Sequence, residues 1–291
     1  MDSEVTLIFT ARSPMGIPKQ SIHVVLSKDY NRSILPEHEK HLEEIWQQRL
    51  SKNPHLYNGS KFRFHDILED PAEGGVSFHL GLTDYREFQV TNWAPNAEEL
   101  LQLGSKDMGR TQAYMSDPLG VGSFVLTADG FVIFIRRSSR VGEAVGLWDI
   151  PGGHPEPKEV KGGSANLNDM TINDLDPAAV VDEIFQSTLN EIRDEINIPL
   201  EHLSEPVLMG VALNHTSSGR PSSEYFVKCD LPSKEVKRLY QLGGAEADES
   251  SGLKLVSIKD IPSLPSSAMW SEMCPSGKGC VLLYNSLMWD R

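Results

Sequence analysis

Cysteine and long apolar runs are both scarce in this sequence. The 291 residues include only three cysteines, Cys229, Cys274 and Cys280, with none in the Cys-x2-Cys pairs typical of zinc sites, so we expect free thiols. No window holds the roughly 18–20 uninterrupted apolar residues that a membrane-spanning helix needs. The first four residues include two acidic ones, Asp2 and Glu4, and no basic one, whereas a signal peptide begins with basic residues. These absences favour a protein of the cytoplasm, with the nucleus as the alternative, and no membrane partner.

Positive charge is also in short supply. Lys and Arg total 27 against 41 Asp and Glu, a net charge of −14 that repels a phosphate backbone, so we expect no nucleic-acid partner. The acidity is concentrated: residues 156–195 hold ten carboxylates and three basic side chains. Such a run is either a solvated face or a cation site.

The apolar pattern predicts an α+β protein with two parts. The N-terminal part contains these predicted elements: strands at Val5–Ala11, Ser21–Ser27, Lys61–Leu68 and Val76–Leu82, and a helix at Pro36–Leu50. From Gly120 to Ile135, two apolar runs flank Asp129-Gly130, which predicts a hairpin and the start of a new sheet. We therefore expect an N-terminal α/β subdomain over residues 1–115 and a second domain over residues 116–291.

A predicted helix over Asp182–Ile196 is the most informative segment. At about 100° per residue, one face is apolar and the other carries the carboxylate ridge, defined as Glu183, Glu191, Asp194 and Glu195. Glu191 and Glu195 are one turn apart, so their oxygens can meet at one hard cation, with Asp194 placed for a second ion. An ordinary amphipathic helix with an acidic outer face is the alternative.

A glycine-rich turn, Pro151–Glu156, precedes this helix and follows a short extended run. Adjacent glycines allow the backbone to approach a ligand closely, which suits a metal ion or a phosphate.

Together, the turn and the helix resemble the Nudix box of Nudix hydrolases, G-x5-E-x7-R-E-U-x-E-E-x-G-U, where U is aliphatic. Gly153 is followed after five residues by Glu159, and residues 190–198 read NEIRDEINI. The spacer of seven is 30 residues here, an insertion of 23 placed at about residues 160–182. Asn190, Asp194 and Asn197 replace the usual Arg, Glu and Gly. Asn197 can still adopt the left-handed conformation of a helix end.

The resemblance implies a Nudix α/β/α sandwich with the N-terminal α/β subdomain added. The interrupted box, with Tyr85–Phe88 and Thr91–Trp93, is similar to a vertebrate branch that cleaves UDP-glucose and UDP-galactose to UMP and sugar 1-phosphate. That branch implies Mg²⁺, with Mn²⁺ as the alternative. It also implies Glu191 and Glu195 as principal ligands, Asp194 as a secondary one, and the Gly152 carbonyl as a backbone ligand.

Several further site residues follow from the resemblance and from residue chemistry. Glu183 replaces Glu159 on the ridge, and the general base is Glu183, Glu246 or Glu249. Arg220 and Lys278 are candidate phosphate ligands, with exposed charge as the alternative. His154 either touches phosphate or shapes the loop. The candidate uracil contacts are Tyr85, Thr91, Asn92 and Tyr114.

Three other functions remain open at this point. One is the same chemistry on ADP-ribose or another nucleoside diphosphate, and another is a non-catalytic binding module that retains the altered box. RNA decapping is disfavoured by the net charge of −14. The insertion reads as a surface loop or a substrate lid.

Overall fold

Strands that are apolar on both faces need cover on both sides, and this requirement sets the layers of the fold. The computed structural model describes residues 2–53, 56–70, 75–139, 144–161, 171–246 and 248–289. The strands are β1 (Val5–Thr10), β2 (Ile17–Pro18), β3 (Ile22–Leu26), β4 (Ser60–Asp70), β5 (Gly75–Asp84), β6 (Gly120–Leu126), β7 (Phe131–Arg137), β8 (Trp148–Asp149), β9 (Gly152–Gly153), β10 (Val207–Asn214), β11 (Arg220–Lys228) and β12 (Ser250–Ser257). The helices are α1 (Pro36–Lys52), α2 (Tyr85–Val90), α3 (Ala97–Met108), α4 (Pro157–Val160), α5 (Pro177–Ile196), α6 (Ser233–Leu242) and α7 (Pro275–Trp289).

A nine-stranded mixed sheet forms the centre, in the order β1-β10-β11-β6-β7-β12, with β2 beside β10, β8 beside β7 and β9 beside β6. Neighbouring residues of β11 show that helices cover both faces. The Tyr225 ring meets Phe185 of α5 at 5.2 Å, whereas Phe226 faces Tyr284 of α7 at 6.4 Å. Successive side chains of a strand point to opposite faces, so α5 and α7 lie on opposite sides of the sheet.

A second sheet, in the order β3-β5-β4, packs on the outer side of α5. Its buried residues, Phe62, Phe78 and Leu80 among them, share one apolar core with Val181 and Ile184 of α5. The α5 helix is therefore enclosed between two sheets. The predicted α+β class is confirmed.

Two expectations from the sequence differ from the structure. A new sheet does not begin at Gly120, because β1 and β2 already belong to the large sheet, where β1 pairs with β10. Residue 115 therefore does not divide one sheet from the other. The predicted loop at about residues 160–182 is only partly a loop, since α5 already begins at Pro177; residues 162–170 lie outside the described residues.

No helix within the described ranges is long and apolar enough to cross a membrane. The three cysteines are free and buried.

A buried arginine joins the small sheet to the segment that leads into β6. Arg63 is 1% exposed and donates to the carbonyls of Tyr30 at 2.8 Å, Gln112 at 2.7 Å and Met115 at 2.9 Å. Its guanidinium lies 3.7 Å from the buried carboxylate of Asp117. One side chain thus satisfies three backbone acceptors and a buried charge that would otherwise be costly.

Replacing this arginine should therefore destabilise the folded protein severely. We expect Arg63→Met to lower the free energy of unfolding by about 3–5 kcal/mol, because a buried charge loses its partner and three carbonyls lose a donor. Chemical denaturation measures the loss. Arg63→Met combined with Asp117→Asn should be more stable than Arg63→Met alone; equal stability would show that the charge pair contributes nothing.

Asp117 also predicts a pH dependence of stability. Burial raises the pKa of its carboxyl to about 6, although Arg63 and Asn92 act in the opposite direction. The folded state therefore binds this proton more tightly than the unfolded state, and the resulting stabilisation is complete below about pH 4 and lost as the pH rises to about 6.

We therefore expect the stability of the wild type relative to Asp117→Asn to fall by up to about 3 kcal/mol between pH 4 and pH 7. Denaturation curves of both proteins at several pH values measure this difference. A difference that stays constant across that range would contradict the prediction.

Candidate active site

A cleft of about 270 Å³ opens beside β9, between α5 and the start of α7. Charged side chains of both signs line it. They are Lys61, Arg137 and Arg220 on the basic side, and Asp149, Glu156, Glu191, Glu246 and Glu249 on the acidic side. This mixture suits a ligand that combines negative charge with a cation.

One acidic residue of the cleft, Glu191, lies on α5. The helix begins with Asp176 capping the Ala179 N–H at 3.2 Å and Pro177 in its first turn. It ends at Asn197, whose φ of 67° confirms the left-handed conformation expected there. Within it, Ile192 and Ile196 are buried in the core while Glu191 faces the cleft.

The glycine turn covers part of the carboxylate ridge. The Gly152 N–H donates to Oε2 of Glu195 at 3.0 Å, which fixes that buried carboxylate behind the turn. A Cβ on Gly153 would overlap the Glu191 carboxylate. Gly153 is therefore needed for the turn to approach α5, whereas a Cβ on Gly152 would meet the Val121 carbonyl of β6. Glu191, Glu195 and Gly152 lie close together at this turn.

Burial and mutual repulsion raise the pKa values of the Glu191 and Glu195 carboxyl groups. The pKa of Glu191 is raised to about 8, first by burial and then by Glu246 and Glu249. The pKa of Glu195 is raised well above its ordinary value by burial and by Glu191. A divalent cation would relieve this repulsion.

The donor set fits a hard cation only in part before a ligand arrives. Within the described ranges, no three His, Cys, Asp or Glu side chains are already gathered closely enough to hold a metal ion. Mg²⁺, however, usually takes one or two protein carboxylates and completes its shell with water and substrate phosphates. Glu191 and Glu195, one turn apart on α5, meet that smaller requirement.

The basic side comes from three strands far apart in sequence. Lys61 of β4 contacts Glu156 at 2.5 Å, and Arg137 of β7 lies 3.3 Å from Asp149. Arg220, at the start of β11, is 5% exposed and lies 3.4 Å from Nε2 of His154. Arg220 and His154 thus meet in the cleft, and their contact with phosphate stays a prediction. Burial and the nearby cations hold the pKa of His154 well below its ordinary value, so its ring is neutral near pH 7.

Other predicted site residues lie outside the cleft lining. Asp194 forms a paired contact with Arg193 at 2.7 Å, and Lys278 pairs with Glu4 at 2.5 Å. Tyr85 packs beside Phe88, and the Tyr114 hydroxyl donates to Asp107 at 3.4 Å. These four residues do not line the cleft.

Thr91 and Asn92 are buried in a network that holds a turn in place. Asn92 Nδ2 donates to Asp117 Oδ1 at 2.9 Å and to the Ser217 carbonyl at 3.2 Å, and Ser218 Oγ donates to the Asn92 carbonyl at 2.9 Å. Thr91 donates to the Glu87 carbonyl at 2.7 Å. The turn that Asn92 holds leads directly into Arg220. This geometry supports positioning of Arg220 rather than direct contact of Thr91 or Asn92 with a base.

The three candidate bases occupy two places. Glu246 and Glu249 line the cleft itself. Burial, and then the nearby Glu249 carboxylate, raise the pKa of Glu246. Glu183 lines a separate groove between α4 and α5 and accepts the Glu156 N–H at 3.0 Å. Burial raises the pKa of Glu183 to about 7.

Sequence reasoning missed Lys61, Arg137, Asp149 and Glu224. Glu224 is fully buried on β11, where it lies against Gly122, and burial raises its pKa to about 7. A carboxylate within the otherwise apolar and small residues of β11 was a signal for a buried acid. Lys61 and Arg137 carried no such signal, because strands often end in a basic residue.

Comparison with known proteins gives the family. No protein-family model matches the chain. Uridine diphosphate glucose pyrophosphatase NUDT22 of Bos taurus is 45% identical over 98% of each chain. The Homo sapiens protein of that name is 44% identical over 98% of this chain and 93% of its own. Nudix hydrolase 9 of Arabidopsis thaliana is 33% identical over 87% of this chain and 83% of its own. The resemblance found in the sequence is confirmed, and the chain belongs to the Nudix hydrolases.

Proposed function

We propose that the protein hydrolyses the diphosphate of UDP-sugars, UDP-glucose and UDP-galactose, to UMP and sugar 1-phosphate. The observation that carries this proposal is the cleft in which three cations from β4, β7 and β11 lie with five carboxylates, one of them Glu191 of α5. A diphosphate needs positive charge for its oxygens, and an acidic wall accepts it only through a bridging cation. The choice of a uridine nucleotide is supported by the relatives of 44–45% identity, which are named as uridine diphosphate glucose pyrophosphatases.

Nudix hydrolases generally use a divalent metal ion. We propose Mg²⁺, with Mn²⁺ as the alternative, held by Glu191, Glu195 and the Gly152 carbonyl. When bound, such an ion neutralises charge on the diphosphate and lowers the pKa of water beside it.

Phosphate binding and proton transfer are assigned to side chains of the cleft. Arg220 and Arg137 pair with phosphate oxygens, since a guanidinium presents several donors to them at once. His154, whose ring is neutral, forms part of the wall around the phosphates without adding charge. Glu246 and Glu249 are placed to accept a proton from the attacking water, since both line the cleft, whereas Glu183 lies behind Glu156.

The substrate and the role of the ridge can be tested together. Phosphate release after a coupled phosphatase step is measured with UDP-glucose, UDP-galactose, ADP-ribose, GDP-mannose and cap analogue, each with Mg²⁺ and with EDTA. We expect selective turnover of UDP-sugars that EDTA abolishes. Glu195→Gln keeps an acceptor for Gly152 but removes the charge, so kcat/KM should fall at least about a hundredfold.

Asp182→Asn is the matched control, because Asp182 lies on α5 but pairs with Lys19 at 2.7 Å on an exposed side. Its activity should stay within about twofold of the wild type. Turnover of no substrate would reject the enzyme and favour a binding module. Preference for ADP-ribose would keep the chemistry and reject the uridine nucleotide.

The glycine turn gives a second test. Gly153→Ala places a methyl group where the Glu191 carboxylate lies, so we expect at least a tenfold loss of kcat/KM, from displacement of a group that must be held within about 0.5 Å. Gly252→Ala is the control, since its nearest neighbour would be Arg136 Cβ at an ordinary 3.7 Å. Equal activity of the two variants would contradict the role assigned to the turn.

We also propose that the protein works in the cytoplasm on this small-molecule substrate. Its three free, buried cysteines support a reducing compartment.

A further inference from the structure

Lys61 belongs to the small sheet, yet it lines the cleft on the large one. It lies near the start of β4, opposite Thr83 of β5, and its side chain is 14% exposed. The ammonium contacts Oε1 of Glu156, the last residue of the glycine-rich turn, at 2.5 Å. The N-terminal part of the chain therefore contributes a charge to the cleft directly.

The partner of Lys61 is held by a second lysine. Nζ of Lys158 lies 2.5 Å from the other carboxylate oxygen, Oε2, of Glu156. Lys61 lines the cleft, whereas Lys158 is not part of its lining and sits 5.9 Å from the ring of Tyr57. Glu156 consequently keeps a counter-charge at close range if Lys61 turns away from it.

Charge in the cleft favours such a turn when an anion enters. Five carboxylates and three cations line it, and Arg137 and Arg220 are already engaged with Asp149 and His154. A diphosphate brings about two further negative charges, which need cations close by. A lysine suits this exchange, because its ammonium is a point charge on a flexible four-carbon stem.

We propose that Lys61 is a substrate-binding residue that leaves Glu156 and pairs with the diphosphate of the bound nucleotide sugar, while Lys158 takes over Glu156. This inference rests on the proposed function for the identity of the nucleotide. The competing explanation is that the Lys61–Glu156 pair only fastens the small sheet to the glycine turn.

Four variants separate the two explanations: Lys61→Met, Lys61→Arg, Lys158→Met and Glu156→Gln. Calorimetry with Mg²⁺ measures binding of the α,β-methylene analogues of UDP and ADP, which carry the diphosphate but resist cleavage. We expect Lys61→Met to weaken binding about 10–100-fold, the range for a lost hydrogen bond between charged groups. Lys61→Arg should recover most of that loss, and Lys158→Met should weaken binding less than Lys61→Met, because it removes a counter-charge of Glu156 but leaves the cleft ammonium in place.

Glu156→Gln is decisive, because it breaks the same ion pair but leaves the ammonium in place. If Lys61 binds the diphosphate, Glu156→Gln binds the analogues at least as tightly as the wild type. If the pair is only a fastening, Glu156→Gln and Lys61→Met weaken binding equally, and the proposal is overturned. Melting temperatures of all four variants confirm that each is folded, and Lys61→Arg preserves the test if Lys61→Met is not.

The two analogues keep this result separate from the proposed function. Suppose that Lys61→Met weakens binding of both analogues and that the wild type turns over no UDP-sugar. This result would support a diphosphate-binding role for Lys61 and reject UDP-sugars as the substrate. Turnover of UDP-glucose with kcat/KM unchanged in Lys61→Met would do the reverse. If the wild type binds neither analogue in Mg²⁺, both the role of Lys61 and the proposed function are overturned.

Discussion

The arrangement of the cleft depends on carboxylates that are kept out of water beside one another. Glu195 is held behind the Gly152 N–H, and Glu191 lies against Gly153. Burying two like charges one helical turn apart is unfavourable unless protons or cations compensate. The lysine and two arginines of the cleft, and the cation we propose, supply that positive charge, and residue 153 is a glycine because a Cβ there would overlap the Glu191 carboxylate.

Parts of the chain that are distant in sequence meet that requirement together. Position 61 lies on the small sheet, whereas Arg137 and Arg220 lie on the large one. Arg63, two residues after Lys61, ties β4 to the backbone that leads into β6. The small sheet is therefore built into the site, because the strand that carries its cation is anchored by a buried polar network rather than by surface contacts.

The sequence predicted most of the local structure and, among the acidic residues of the cleft, Glu191, Glu246 and Glu249, but not Asp149. The spacing of Glu191 and Glu195 predicts their common position because a regular helix fixes it. The basic half was harder, since strand order decides which strand ends meet, and no local pattern shows that β11 pairs in parallel with β6. Asn92 illustrates the same limit: its residue type suits a base contact, but its burial against Ser217 appears only in three dimensions.

The pairing of β1 with β10 has a consequence for how the chain folds. Val5 lies opposite Asn214, so β1 has no partner until more than two hundred further residues have been synthesised. Contacts between residues so far apart in sequence slow folding, because the intervening loop must close before the contact forms. During synthesis the N-terminal strand therefore remains an unpaired edge, exposed to other chains for longer than any other part of the large sheet.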